Sequence, residues 1–169
     1  KEYYSLGGAS AIMALALGTK KVRAVNKIVG AGSKWVALAK KIVFLEGLCG
    51  VESANYGPSE ILCISDSSTS PDIAASSMIA QSEHSQDAMS ILITKDRKLI
   101  NKIRKSIKDQ LKDLPRNRIA KKSLNNYGMI IYAKDDKKII KISDTIGPEH
   151  VEVLSKNYKK YLSCNLVAG

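Results

Sequence analysis

Two short runs constrain this chain more than any other feature. "EILCISD" (residues 60–66) and "MSILITK" (residues 89–95) are apolar at consecutive positions rather than alternate ones. A strand with one wet face alternates, whereas a strand covered on both faces does not. Between the two runs lies "SPDIAASSMIAQSEH", which opens like a helix, with Ser70 as N-cap, Pro71 at the first position and Asp72 in the first turn. Two buried strands joined by a helical crossover imply a parallel sheet, since parallel neighbours are joined in that way and not by a tight hairpin. The expected fold is therefore α/β.

The rest of the chain repeats this alternation. "GGASAIMALALGT" and "AGSKWVALAKKIVF" read as helices around the short apolar "NKIVG". Asp96 is placed to cap a helix on which Leu99, Ile103, Ile107 and Leu111 share one face, with Pro115 ending it. A short basic helix leads to the strand "GMIIYAK", and Asp135 or Asp136 opens a helix that stops at Gly147-Pro148. "GPEHVEVLS" leads into another strand, and "YKKYLSCN" reads as a last short helix. Turn residues cluster in "ANYGPSE", which places a domain boundary at residues 56/57.

The formal charge of +11 raises the question of a nucleic-acid partner. The lysines are interleaved with acids along helices such as "DRKLINKIRKSIKDQLKDL", aromatic residues make up 5% of the chain, and no nucleic-acid motif is present. The charge reads as a solvated surface instead. No apolar run is long enough to span a bilayer and no signal-peptide pattern opens the chain, so the expected location is cytoplasmic. Cys49, Cys63 and Cys164 are odd in number and widely spaced, which reads as small buried side chains rather than a disulfide framework.

The chain has two histidines, His84 and His150, and each follows a glutamate. Gln81 and His84 lie three apart on the expected helix and so share a face, which suits either a pair of metal donors or a surface polar pair. Glu149 and His150 could supply two acid–base groups or form a plain polar turn. Ser59, in "GPSE", could touch a ligand or cap a turn. "GAGS" at residues 30–33 could admit a phosphate to a helix N-terminus but lacks the third glycine of a dinucleotide fingerprint.

Together, "GGASAIMALALGT", "KIVGAGSKWVALAKKIVF", "GPSEILCISD", "IAQSEHSQDAMSILIT" and "IGPEHVEV" resemble the histidinol dehydrogenase family in order and spacing. The resemblance covers essentially the whole chain and matches a middle section of a protein more than twice as long. It implies NAD-dependent oxidation of histidinol through histidinal to histidine, with NAD and zinc as cofactors, in a homodimer. It implies zinc ligation by Gln81 and His84, acid–base roles for Glu149 and His150, and substrate contacts from Ser59, Gln81, His84 and His150. It also implies parts of two similar three-layer α/β/α, Rossmann-like domains with mainly parallel sheets, of the aldehyde-dehydrogenase-like kind. Residues 1–56 would belong to the NAD side and residues 57–169 to the zinc and substrate side.

Two positions depart from the family pattern. The cofactor-binding glutamine of Gly-Gly-Ala-Gln is Ser10 here, and the cofactor-binding asparagine of Gly-Pro-Gly-Asn is Ser33, with Ala31 in place of the proline. Each change shortens an amide to a hydroxyl. The family's other two zinc ligands are expected beyond Gly169. The sequence therefore allows a second reading, a truncated or degenerate homologue without dehydrogenase activity, acting as a binding module or having no function. Charge alone would support a third, a basic interaction protein.

Overall fold

A computed structural model describes residues 1–52 and 59–162. The chain forms two compact units, Lys1–Gly57 and Pro58–Gly169. Most of "ANYGPSE" and Cys164, with the end of the last expected helix, lie outside the described residues.

The first unit contains α1 (Gly8–Leu17), β1 (Lys27–Ile28), α2 (Lys34–Leu45) and β2 (Gly50–Val51), with β1 and β2 paired in parallel. Ile12 and Ala16 of α1 meet Ala39 and Val43 of α2 over Ile28.

The second unit contains β3 (Glu60–Ser65), α3 (Pro71–Ser82), β4 (Met89–Thr94), α4 (Arg97–Gln110), α5 (Asn117–Tyr127), β5 (Gly128–Tyr132), α6 (Asp136–Ile146) and β6 (His150–Val153). The strands form one parallel sheet in the order β5-β4-β3-β6. Consecutive apolar residues of β3 and β4 divide between its faces. Cys63 and Leu92 pack with Ala74, Met78, Leu99 and Ile103 of α3 and α4. Leu62, Ile64, Ile91 and Ile93 pack with Ile139 of α6 and with Tyr161. The result is a three-layer α/β/α arrangement, as the double-faced strands require.

Local chemistry explains most element ends. Asp96 caps α4 by accepting from the backbone N–H groups of Lys98 and Leu99. Asp135, rather than Asp136, caps α6 by accepting from Lys138 N–H. Gly147 ends α6 in the left-handed conformation at φ 54°. Some expectations shift. Ser70 is the N-cap of α3 but makes no side-chain cap bond. Asp72 accepts from Ser106 Oγ on α4. The α4 helix ends at Gln110, before Pro115. The expected last helix is a 3-10 turn, Tyr158–Tyr161.

Asp136 joins three elements. Its carboxylate accepts from Lys95 Nζ at 2.8 Å, Tyr161 OH at 2.8 Å and Lys160 Nζ at 3.0 Å. Burial works to raise its pKa, but the hydrogen bonds from Lys95, Tyr161 and Lys160 outweigh it and hold the group at about 2.

Two outcomes follow from these contacts. Because the folded pKa of Asp136 is depressed, its stabilisation is complete above the unfolded pKa near 3.8 and is lost as pH falls towards about 2. After a discount for solvent screening of a side chain 35% exposed, Asp136→Asn should cost about 1 kcal/mol at neutral pH. The gap between the two proteins should close in acid denaturation curves below pH 4. At Gly128, where α5 passes directly into β5, a Cβ would lie 2.4 Å from the Leu124 carbonyl oxygen. Gly128→Ala should therefore destabilise by about 1–3 kcal/mol in denaturant titration.

Candidate functional site

The chain runs β3, β4, β5 outward and then returns to place β6 on the other side of β3. Such a reversal opens a crevice at the carboxyl ends of β3 and β6, the usual ligand position in open α/β sheets. Here the chain's own polar groups fill it. Asp66 accepts from Ser155 Oγ, from Ser68 N–H at 2.9 Å and from Ser68 Oγ at 2.6 Å. Thr69 Oγ1 donates to the Leu154 carbonyl at 3.1 Å. Burial works to raise the Asp66 pKa, but these hydroxyl and amide donors bring it below the usual carboxylate range.

The residues singled out by sequence gather at the opposite, amino end of the same two strands. Ser59 directly precedes β3, and His150 is the first residue of β6, paired in register with Ile61. The crossover helix α3 carries the chain back to this edge, so its last turn arrives beside Ser59. Gln81 is buried, and its Nε2 donates to Ser59 Oγ at 2.8 Å. That bond leaves the Gln81 carbonyl oxygen available as an acceptor or donor atom for a ligand.

α3 ends at Ser82, so His84 sits in the following turn rather than on the helix. The helical path nevertheless persists, because His84 N–H donates to the main-chain carbonyl of Gln81 at 3.2 Å, which leaves the side-chain oxygen Oε1 uninvolved. Gln81 and His84 line one depression of about 410 Å³ with Ile61, Ser77 and Glu152. His84 is exposed in it.

Strand alternation decides which face of β6 serves this depression. Val151 and Val153 pack on the α6 side. His150, Glu152 and Leu154 therefore point to the α3 side, and Leu154 packs there with Cys63. The Cys63 thiol approaches Glu152 Oε2 at 4.0 Å. Burial, and secondarily the Glu152 charge, push the Cys63 pKa up to about 12. Cys63 is thus a protonated donor beneath the carboxylate and no nucleophile. His150 Nε2 lies 3.6 Å from Glu149 Oε1, with both side chains about half exposed.

Glu152 was not marked by sequence reasoning. The signal was available in the alternation, since a residue two beyond His150 on a strand must share its face. Among the described residues no three His, Cys, Asp or Glu side chains converge as a metal site. A larger depression of about 550 Å³ lies at the carboxyl end of β5, rimmed by Lys134, Lys137, Lys138 and Lys141. It is remote from these residues, and the N-terminus of α6 beside it is already capped by Asp135.

Ser10 and Ser33 belong to the first unit. Ser10 is exposed in the first turn of α1. Ser33 is exposed at the N-cap of α2 and makes no side-chain cap bond to the first amides of that helix.

Comparison with known proteins bears on the whole chain. The family model for histidinol dehydrogenase matches residues 1–169. Histidinol dehydrogenase of Pelagibacter ubique is 50% identical over 163 residues, 96% of this chain and 38% of that protein. The Thermotoga maritima histidinol dehydrogenase is 42% identical over 159 residues, 93% of this chain and 36% of that protein. The crystal structure of histidinol dehydrogenase from Elizabethkingia anophelis superposes with a TM-score of 0.83 at 31% identity, covering 96% of this chain and 36% of that one. A propionaldehyde dehydrogenase from Clostridium phytofermentans shares the fold alone, with a TM-score of 0.51 at 12% identity over 91% of this chain and 46% of that one. No helix among the described residues is long and apolar enough to cross a membrane. The chain thus spans somewhat over a third of the length of these histidinol dehydrogenases. With a family match over its full length, half its residues identical to one relative and its backbone superposable on another, it belongs to the histidinol dehydrogenase family.

Proposed function

We propose that this chain is a section of an NAD-dependent histidinol dehydrogenase, oxidising L-histidinol through L-histidinal to L-histidine in the cytoplasm as a homodimer. The observation that supports this reading is the Ser59–Gln81 hydrogen bond beside the depression that Gln81 and His84 line, with His150 in register opposite Ile61 at the same edge of the β3–β6 pair. These residues are distant in sequence, and only the parallel crossover unites them.

In this reading the second unit, Pro58–Gly169, handles substrate. Ser59 and the Gln81 carbonyl oxygen orient its polar groups. His150 takes the alcohol proton as the carbon loses hydride. Glu149 then takes a proton from the water that attacks the aldehyde, which prepares the second oxidation. Two NAD molecules, bound in turn, would each accept one hydride, one for each oxidation. The first unit would hold each through Ser10, Ser33 and the open N-terminus of α2.

Zinc fits less well. Gln81 and His84 are two donors, and a protein zinc site normally takes four ligands. Among the described residues no further cluster completes the set. These residues alone do not make a zinc site, and no step above depends on one. Zinc titration of the 169-residue chain should accordingly show weak binding that His84→Ala removes. Tight stoichiometric binding indifferent to both Gln81→Ala and His84→Ala would overturn the ligand assignment.

The function is tested by placing residues 1–169 in the matching section of the Thermotoga maritima enzyme and assaying histidinol oxidation. Slow turnover with a raised KM for NAD is expected, because two cofactor hydrogen bonds worth about 0.5–1.5 kcal/mol each are altered at Ser10 and Ser33. Ser10→Gln with Ser33→Asn should recover roughly one to two decades of that KM. His150→Ala should abolish turnover. A chimera that is inactive at saturating NAD, and not rescued by the two reversions, would establish the degenerate homologue instead.

A further inference from the structure

Lys40, on α2, is only 1% exposed. Its ammonium donates to the Gly30 carbonyl, in the turn after β1, and to the Glu52 carbonyl, just beyond β2, at 2.9 Å for the latter. No ion pair involves Lys40 among the described residues. A buried ammonium held by neutral carbonyls alone is costly, and a smaller neutral donor or an apolar side chain would pack a helix more cheaply.

The ammonium acts on one short segment, Val29 to Ser33. Gly30 holds φ 120°, a conformation other residues rarely adopt, and a Cβ on Gly32 would lie 2.6 Å from Val36 Cγ1. Three separate constraints thus converge on five residues. Yet the outer side of the same turn carries the uncapped Ser33 hydroxyl and the exposed start of α2. A turn whose carbonyl is held by a buried ammonium, and whose Ser33 is left exposed, is organised to present that end of α2.

We propose that Lys40 is a positioning residue for the cofactor. It ties the carboxyl ends of β1 and β2 together through Gly30 and Glu52 and so holds the turn that presents Ser33 and the α2 amides. It does not touch the ligand itself. This rests on the assignment of NAD to the first unit.

The test uses the 169-residue chain, with NADH titration by fluorescence and amide exchange read by mass spectrometry. Lys40→Met removes both bonds, whereas Lys40→Gln keeps two N–H donors on a shorter, neutral side chain. Lys40→Met is expected to raise the NADH Kd at least tenfold and to speed exchange across residues 29–36, and Lys40→Gln to do both less. The segment containing Val43 and α1 should stay protected. If Lys40→Met binds NADH as the unaltered chain does, or exchanges residues 29–36 at the same rate, the proposal is wrong. If Lys40→Met also exposes α1, Lys40→Gln decides: unchanged NADH affinity despite faster exchange at residues 29–36 reduces Lys40 to a structural role. If the unaltered chain does not bind NADH, the cofactor assignment fails and this role falls with it, a result distinct from failure confined to the variants.

Discussion

The second unit depends on β3 being hydrogen-bonded in parallel on both sides. Its register with β4 runs from Glu60↔Met89 to Ser65↔Thr94, and with β6 from Ile61↔His150 to Ile64↔Val153. Leu62, Cys63 and Ile64 are fully buried, so each face of this strand must be covered by a helical layer. Full burial of one such side chain contributes about 1.5–3 kcal/mol. A one-residue slip would exchange the side chains between layers, opposing Cys63 to the α6 cluster and Ile64 to α3. The same register fixes His150 opposite Ile61, so the core pairing also sets the position of a candidate catalytic residue.

This arrangement separates stability from presentation across the two ends of the sheet. At the carboxyl ends of β3 and β6, Asp66 and its serine and threonine partners close the crevice that many α/β proteins use for ligands. At the amino ends, Gln81 and His84 line an open depression, Ser59 is hydrogen-bonded to Gln81, and His150 stands opposite Ile61 with half-exposed Glu149 beside it. Polar side chains that satisfy one another rigidify a site, whereas those facing solvent remain available to substrate. Both ends use short hydroxyl side chains, but only the amino end leaves imidazole groups and an amide oxygen without a complete set of internal partners among the described residues.

The first unit follows a related logic with different chemistry. Its short β1–β2 pair is bridged by a buried ammonium, while two glycines shape the turn above it. The departures from the family pattern at Ser10 and Ser33 lie on exposed surface. Lys40 is buried, bonded to the Gly30 carbonyl.

The sequence by itself determined the elements and their layering. Apolar runs without alternation in β3 and β4 require cover on both faces, and Asp96, Asp135 and Gly147 mark helix ends through bonds and dihedrals local to a few residues. It also named the chemical groups, since Gln81, His84, Glu149 and His150 stand out in a chain with two histidines. Only the tertiary structure decided which of these meet, and where. Ser59 and Gln81 are joined because a helical crossover returns the chain to the amino edge. Glu152 enters the depression because strand pairing aims alternate residues of β6 at α3. Lys40 reads as an ordinary surface lysine in "ALAKK" until its Nζ is found beneath Gly30. Local pattern encodes conformation over a few residues, but contacts between residues 59 and 81, or 30 and 40 and 52, exist only once the strands have set their order and register.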